Sequence, residues 1–383
     1  MPISIVLNGF LAVLLSLVSL SAASAQAIET KAREAIIVDL GSGRVLLDKN
    51  ADQRMPTASM SKLGTMYMVF EAVDEGRLSL EQTLPVSEKA WRKGGSKMFV
   101  EVGSMVAVQD LMRGVIIQSG NDATIVLAEG LAGTEDAFAD AMTRRLREIG
   151  LENTQFQNAS GWPDPEHYST ARDLSKLAIE LIERFPQFYP IYSERDFTFS
   201  GIKQGNRNPL LYRNIGADGL KTGHTSEAGY GLVASAERDN RRLVMVVNGL
   251  ESVQDRADES AKLIEWAFAN YDVYDLFGAN PDATVHDLPV WLGESPTVGL
   301  KLAEPVTLAL NREERRNLNM RFELESPITA PVSAGQQVGA LLIDAPDGTR
   351  SIPLLAQSDV PKLGFSGRVE AALTHILFGS SAQ

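Results

Sequence analysis

The 383-residue chain predicts an α+β fold: an antiparallel sheet carrying a helical subdomain, followed by a small all-β domain. Three observations predict it. Alternating apolar runs stand near both ends of the first 270 or so residues, and the stretch between them has helical periodicity. Beyond about residue 275 only short alternating runs occur, broken by Pro, Gly and Asp-Gly turns, until the very end. The length suits two domains, and a hydrophobic content of 44% supplies their cores.

The elements follow in order. Residues 1–25 hold an apolar run from Phe10 to Leu20 and the small-x-small pattern Ala23-Ser24-Ala25. This reads as an export signal, although no Lys or Arg precedes the run; an uncleaved membrane anchor is the alternative. Export places the protein in the periplasm or at the outer face of the cytoplasmic membrane. Cys is absent, so packing and not disulfides must hold the exported chain together.

Residues 26–274 form the expected first domain. "EAIIVDLGSGRVLL" (34–47) pairs two apolar runs about a Gly-Ser-Gly turn, a hairpin. Leu63, Met66, Tyr67, Phe70 and Val73 recur at helical spacing before Gly76, and Pro56-Thr57 offers a lead-in and cap. "VAVQDLMRGVIIQ" and "ATIVLAEGL" are two helices joined by the tight turn "SGND". "TEDAFADAMTRRLREIGL" and "ARDLSKLAIELIERF" are further helices. "GLKTGHT", "GYGLVASAER" and "RRLVMVVNGL" read as successive strands, the last two joined at Asp239-Asn240, and "ADESAKLIEWAFANY" is a closing helix. Residues 275–366 form the all-β part. Residues 367–383 hold an amphipathic helix with Val369, Ala372, Leu373, Ile376 and Leu377 on one face. It is a candidate for peripheral membrane contact, yet Arg368 is its only fixed cation, so attraction to anionic lipid would be weak.

A net charge of −13 argues against nucleic acid as a partner, because a phosphate backbone needs a basic surface. His167, His224, His286 and His375 are scattered without ligand spacing, so no metal and no other cofactor is expected.

The chemistry concentrates in three short motifs. S-x-x-K occurs twice, at Ser59–Lys62 and Ser200–Lys203. The second copy lies in the extended, turn-rich "FTFSGIKQGN", where residues three apart do not share a face. The first lies at a helix start, where free backbone N–H groups and the helix dipole favour negative charge. Downstream come Ser119 and Asn121 in "QSGND", then Lys221, Thr222 and Gly223 in "LKTGHT". S-x-x-K, S-x-N and K-T-G in that order are the signature of serine acyl-transfer enzymes that react with β-lactams.

On these motifs the chain resembles a low-molecular-mass penicillin-binding protein of the D-alanyl-D-alanine carboxypeptidase kind, of peptidase family S11 type. "VDLGSGRVLLDKNADQRMPTASMSKL", "LMRGVIIQSGNDA", "YSTARDL" and "ADGLKTGHTSEAGYGLVASA" are similar to the family's runs in order and spacing. The resemblance implies a penicillin-binding/β-lactamase-like catalytic domain. Its substrates would be peptidoglycan stem peptides ending in D-Ala-D-Ala, and β-lactam antibiotics would inhibit it covalently. Ser59 would be the nucleophile and Lys62, with its pKa lowered by burial and by Lys221, the group that takes its proton. Ser119 would relay that proton to the leaving D-alanine, and Asn121 would orient Lys62 and the substrate amide. Lys221 and Thr222 suit the substrate carboxylate, and the resemblance adds Thr225 and Arg207. Gly223 would let the peptide lie against the strand, and the backbone N–H groups of Ser59 and His224 would hold the oxyanion. The imidazoles of His224 and His167 are read as structural or supporting, since no G-x-S-x-G elbow indicates a triad.

Two other readings use the same residues. A DD-endopeptidase shares the machinery, and an idle wall-binding scaffold would keep the motifs without turnover. A β-lactamase is disfavoured because no E-x-x-L-N stretch lies between Asn121 and Lys221 to activate a deacylating water.

Overall fold

Strands from the two ends of the first domain do meet in one sheet. β1 (Glu34–Asp39), β2 (Val45–Lys49), β3 (Ala217–Thr225), β4 (Gly229–Arg238) and β5 (Arg241–Leu250) are all antiparallel, in the spatial order β2-β1-β5-β4-β3. These positions come from a computed structural model that describes residues 28–278, 280, 282–345 and 348–378. The expected export signal, 1–25, lies outside the described residues.

The pleat sends alternate residues to opposite sides, and both sides are covered. Ile36, Val38, Val233, Val244 and Val246 join the core of the helical subdomain. Ala35, Ile37, Leu232, Ala234, Met245 and Val247 pack instead against Leu263, Ile264 and Ala267 of the closing helix, Val253–Asn270. That is why these strands read as nearly continuous apolar runs.

The helical middle comprises α1 (Lys62–Asp74), α2 (Val108–Ile116), α3 (Asn121–Ala132), α4 (Glu135–Glu148) and α5 (Ala171–Arg184). Val106 and Ala107, expected in the second helix, belong instead to a short strand, Met105–Ala107, paired with Thr83–Pro85. Ser119 turns the chain between α2 and α3 with φ of 59°, the left-handed conformation that lets two helices abut so closely.

Beyond the first sheet, β6 (Asp272–Leu276) pairs with β9 (Val306–Leu310). β7 (His286–Trp291), β8 (Thr297–Leu302), β10 (Asn319–Leu324), β11 (Ile328–Thr329), β12 (Gln337–Ala345) and β13 (Gly348–Ala356) form a six-stranded sheet ordered β10-β12-β13-β8-β7-β11. Leu288, Leu300, Leu308, Leu341, Ile343 and Leu354 fill its core. The one helix in this region that the sequence reading leaves out, Arg312–Asn317, is a six-residue turn fixed by a capping box between Asn311 and Glu314. Glu314 also takes a forked pair of bonds from Arg44 at 2.6 and 2.7 Å, which ties the β1–β2 hairpin to the all-β part. The terminal helix spans Phe365–Phe378, and Phe365, Val369, Leu373, Ile376 and Leu377 are exposed.

Candidate active site

Ser59 sits in a 3₁₀ turn, Ala58–Ser61, that runs directly into α1. The sequence placed it in the helix's first turn; the structure winds that turn as a 3₁₀ helix, with Ala58 at its start in the left-handed region at φ of 48°. Thr57 precedes the turn, but its side chain caps no backbone N–H and bonds Ser61 Oγ instead.

Lys62 is fully buried, and its Nζ has three partners. It lies 2.8 Å from Ser59 Oγ, 2.7 Å from Asn121 Oδ1 and 2.6 Å from the Ser160 carbonyl. The carbonyl and the amide oxygen can only accept. A neutral amine has two N–H bonds to give them and one lone pair left, which then faces the serine hydroxyl. The same three oxygens can also accept from the ammonium, so it is the lowered pKa that brings the proton-accepting form within reach near neutral pH. Burial pulls its pKa from 10.5 down to about 7, with Arg207 and Lys93 adding repulsion and Asp122 and Glu135 opposing it.

Asn121 opens α3 and donates from Nδ2 to the Gly94 carbonyl at 2.9 Å, while its backbone N–H bonds the Ser96 carbonyl. Across the cleft, Lys221 on β3 donates to Ser119 Oγ at 2.9 Å and to the Thr222 carbonyl at 3.1 Å. Burial holds its pKa well below the usual lysine range, and Lys62, Arg207 and Arg256 push it the same way. The sequence reading named Lys221 as the cation that lowers the Lys62 pKa; the cations that act on Lys62 are instead Arg207 and Lys93, while Lys62 acts on Lys221 together with Arg207 and Arg256.

Arg207 reaches Ser96 Oγ at 2.5 Å, in the same loop that holds Asn121. Thr225 Oγ1 accepts from the Ala228 N–H at 3.0 Å, and the exposed His224 ring stacks on Tyr230 at 3.9 Å. Gly223 has a reason to be glycine that the sequence does not show. A Cβ there would meet Thr57 O at 2.7 Å, Met60 Cγ at 3.1 Å and Ala58 Cβ at 3.3 Å. The space that glycine leaves is thus filled by the serine turn itself, which docks against the strand. The second S-x-x-K copy is apart from all this: Ser200 and Lys203 lie on the Asp196–Gly205 hairpin, where Lys203 pairs with Asp196 at 3.2 Å.

Several contributors gave no usable sequence signal. Ser160 acts through its carbonyl. Trp162, exposed beside it, carries Lys93 on its ring face at 4.4 Å. Asp122 accepts the N–H groups of Met98, Phe99 and Val100 and so pins the loop that faces Asn121.

A profile of the D-alanyl-D-alanine carboxypeptidase family, peptidase S11, matches residues 21–252. The chain belongs to this family. A second profile, the C-terminal domain of penicillin-binding protein 5, matches residues 279–362. D-alanyl-D-alanine carboxypeptidase DacC of Escherichia coli K12 is 39% identical over 355 residues, covering 90% of this chain and 88% of that one. The crystal structure of penicillin-binding protein 5 from Haemophilus influenzae, 36% identical, superposes with a TM-score of 0.77 over 88% of this chain and all of that one. Penicillin-binding protein D2 of Listeria monocytogenes in its ampicillin-bound form, 32% identical, gives a TM-score of 0.58 over 63% of this chain and 98% of that one. Membership of the carboxypeptidase family bears out the resemblance and the fold read from the three motifs. Among the described residues there is no cluster of potential metal ligands and no helix long and apolar enough to cross a membrane.

Proposed function

We propose that this family member is a serine-type D-Ala-D-Ala carboxypeptidase that removes the terminal D-alanine of peptidoglycan stem peptides through an acyl-enzyme on Ser59. The observation that carries this is the buried Lys62 amine, 2.8 Å from Ser59 Oγ and with a pKa of about 7. Lys62 takes the serine proton as Ser59 attacks the carbonyl of the D-Ala-D-Ala bond. Ser119, bonded to Lys221, passes a proton to the departing D-alanine nitrogen. Asn121 holds Lys62 and the substrate amide in register. Lys221, Thr222, Thr225 and Arg207 receive the chain-end carboxylate, and the oxyanion lies between the N–H groups of Ser59 and His224. Water then attacks the ester and regenerates the serine.

Penicillins enter the same sequence as mimics of the chain end and stay attached. The buried carboxylates near Lys62 are engaged elsewhere, which favours slow release. Asp122 takes backbone N–H groups, and Glu135 pairs with Lys89 at 2.9 Å and accepts from the Ala159 N–H.

A fluorescent penicillin mapped by mass spectrometry tests the assignment. Label on Ser59, and D-alanine released from a pentapeptide by wild type but not by Ser59→Ala, is the expected result. Label on another residue overturns it.

The remaining parts of the reading concern place. The protein works outside the cytoplasmic membrane, with residues 26–274 carrying the chemistry, residues 275–366 holding them off the surface, and the apolar face of the terminal helix touching lipid. Support comes from the exposure of Phe365, Ile376 and Leu377 on that helix. Flotation with phosphatidylglycerol vesicles should be lost on truncation after residue 364, while D-alanine release in solution is unchanged.

A further inference from the structure

Ser61 stands two residues after the nucleophile and has no part in the steps above. It is fully buried, and its Oγ is bonded on three sides. It donates to the Ala58 carbonyl at 3.0 Å and lies 2.5 Å from Thr57 Oγ1 and 2.6 Å from His167 Nε2. The tautomer of His167 is fixed from behind. The Gln157 N–H donates to Nδ1 at 3.1 Å, so Nδ1 is the acceptor and the ring proton sits on Nε2, aimed at Ser61. Phe156 stacks on the ring at 4.8 Å. Burial, helped by Lys62 and opposed by Asp164, keeps His167 uncharged, with a pKa of about 4.

What this chain of bonds holds is a backbone that would not hold itself. Ala58, with φ of 48°, sits where L-residues are disfavoured, and its carbonyl is the atom Ser61 grips. The same carbonyl is backed by Gly161, where a Cβ would fall 1.8 Å from it. The segment that supplies His167 also supplies the Ser160 carbonyl to Lys62 and the Ala159 carbonyl to Thr65, at 2.6 Å each. One loop therefore grips both members of the reacting pair.

We propose that His167, acting through Ser61, is a positioning residue that holds the Thr57–Ala58 backbone in the conformation presenting Ser59 Oγ to Lys62. The proposal rests on Ser59 being the nucleophile. A reacting atom displaced by about 1 Å loses rate on the order of 100-fold, so the effect belongs in the acylation step and not in ligand binding.

The test separates those two constants by stopped-flow acylation with a chromogenic cephalosporin in wild type, His167→Ala, His167→Gln, Ser61→Ala and the double variant. The expected result is first-order acylation slower by about 10- to 100-fold in His167→Ala and Ser61→Ala, with the noncovalent dissociation constant within about twofold. His167→Gln, which keeps an N–H donor, recovers most of the rate, and the double variant is no slower than the worse single one. The midpoint of the acid limb, near pH 7, stays where Lys62 puts it, because His167 with a pKa of about 4 is uncharged there. If His167→Ala does not fold, Ser61→Ala carries the test by removing the same bond from the other side. Unchanged acylation in Ser61→Ala, no recovery by Gln, or a displaced acid limb each overturns the proposal. Wild type with no label on Ser59 is a different result: it removes the functional reading, and this proposal with it.

Discussion

Lys62 is the perturbation point from which the functional reading can be tested quantitatively. Moving an amine from 10.5 to about 7 means that folding disfavours its cation by about 5 kcal/mol, at roughly 1.4 kcal/mol per tenfold. At pH 7 about half the molecules then hold a neutral Lys62, against roughly three in ten thousand for an ordinary lysine, a gain on the order of 10³ in competent enzyme. The second-order constant for acylation reports the free enzyme, so its acid limb should have a midpoint near pH 7 and fall roughly 50-fold between pH 7 and pH 5. Lys93→Met removes one of the cations that disfavour the charged form, so the limb should move to higher pH. The assay is penicillin acylation followed by intrinsic fluorescence across pH 4.5–9.5, a range of about five units. A limb centred near 10, or one displaced downward in Lys93→Met, would refute the argument that burial and neighbouring cations make Lys62 the base.

The remaining predictions concern the same scaffold. Because folded Lys62 binds its proton less well than the unfolded chain does, its penalty is complete below pH 7 and fades as pH rises toward 10.5. Urea titrations of wild type and Lys62→Met should show a stability gap that shifts in favour of wild type by about 1.4 kcal/mol per pH unit over that window; a gap independent of pH contradicts the depressed pKa. Gly161→Ala should lose at least about 2 kcal/mol and nearly all acylation, since the new methyl meets backbone at Ala58 and φ is 76°; a variant as stable and as reactive as wild type would show that the turn can yield. Arg44→Ala should destabilise the contact between the β1–β2 hairpin and the all-β part by about 2 kcal/mol, with acylation within about twofold of wild type. Its denaturation curve would separate into two steps if that contact couples the two parts, and a single unmoved transition would rule the coupling out.

How much was legible beforehand differs from residue to residue. Ile36, Val233 and Val246 announce buried strands because both faces of their sheet are covered. Ser59, Lys62, Ser119, Asn121, Lys221 and Gly223 are singled out by local spacing, and the fold brings Lys62 to Ser59 and Asn121, and Lys221 to Ser119. Gly223 shows the limit: the motif gave the residue, but only the clash that a Cβ there would make with Thr57 O gave a structural reason for glycine. Arg312–Asn317 was missed because six residues carry too little periodicity to be seen.

The sequence by itself determined the class of chemistry, the order of the longer strands and helices of the first domain, and which side chains have the right functional groups, since these depend on residue type and on spacing of a few positions. Tertiary structure alone decided how those groups behave. The pKa of Lys62 is set by burial and by Arg207 and Lys93, 145 and 31 positions away along the chain. The Ser160 carbonyl and the His167–Ser61 bond span 98 and 106 positions. Such influences act through space, and electrostatic and hydrogen-bonding energies depend on distance and solvent access, neither of which local sequence spacing encodes.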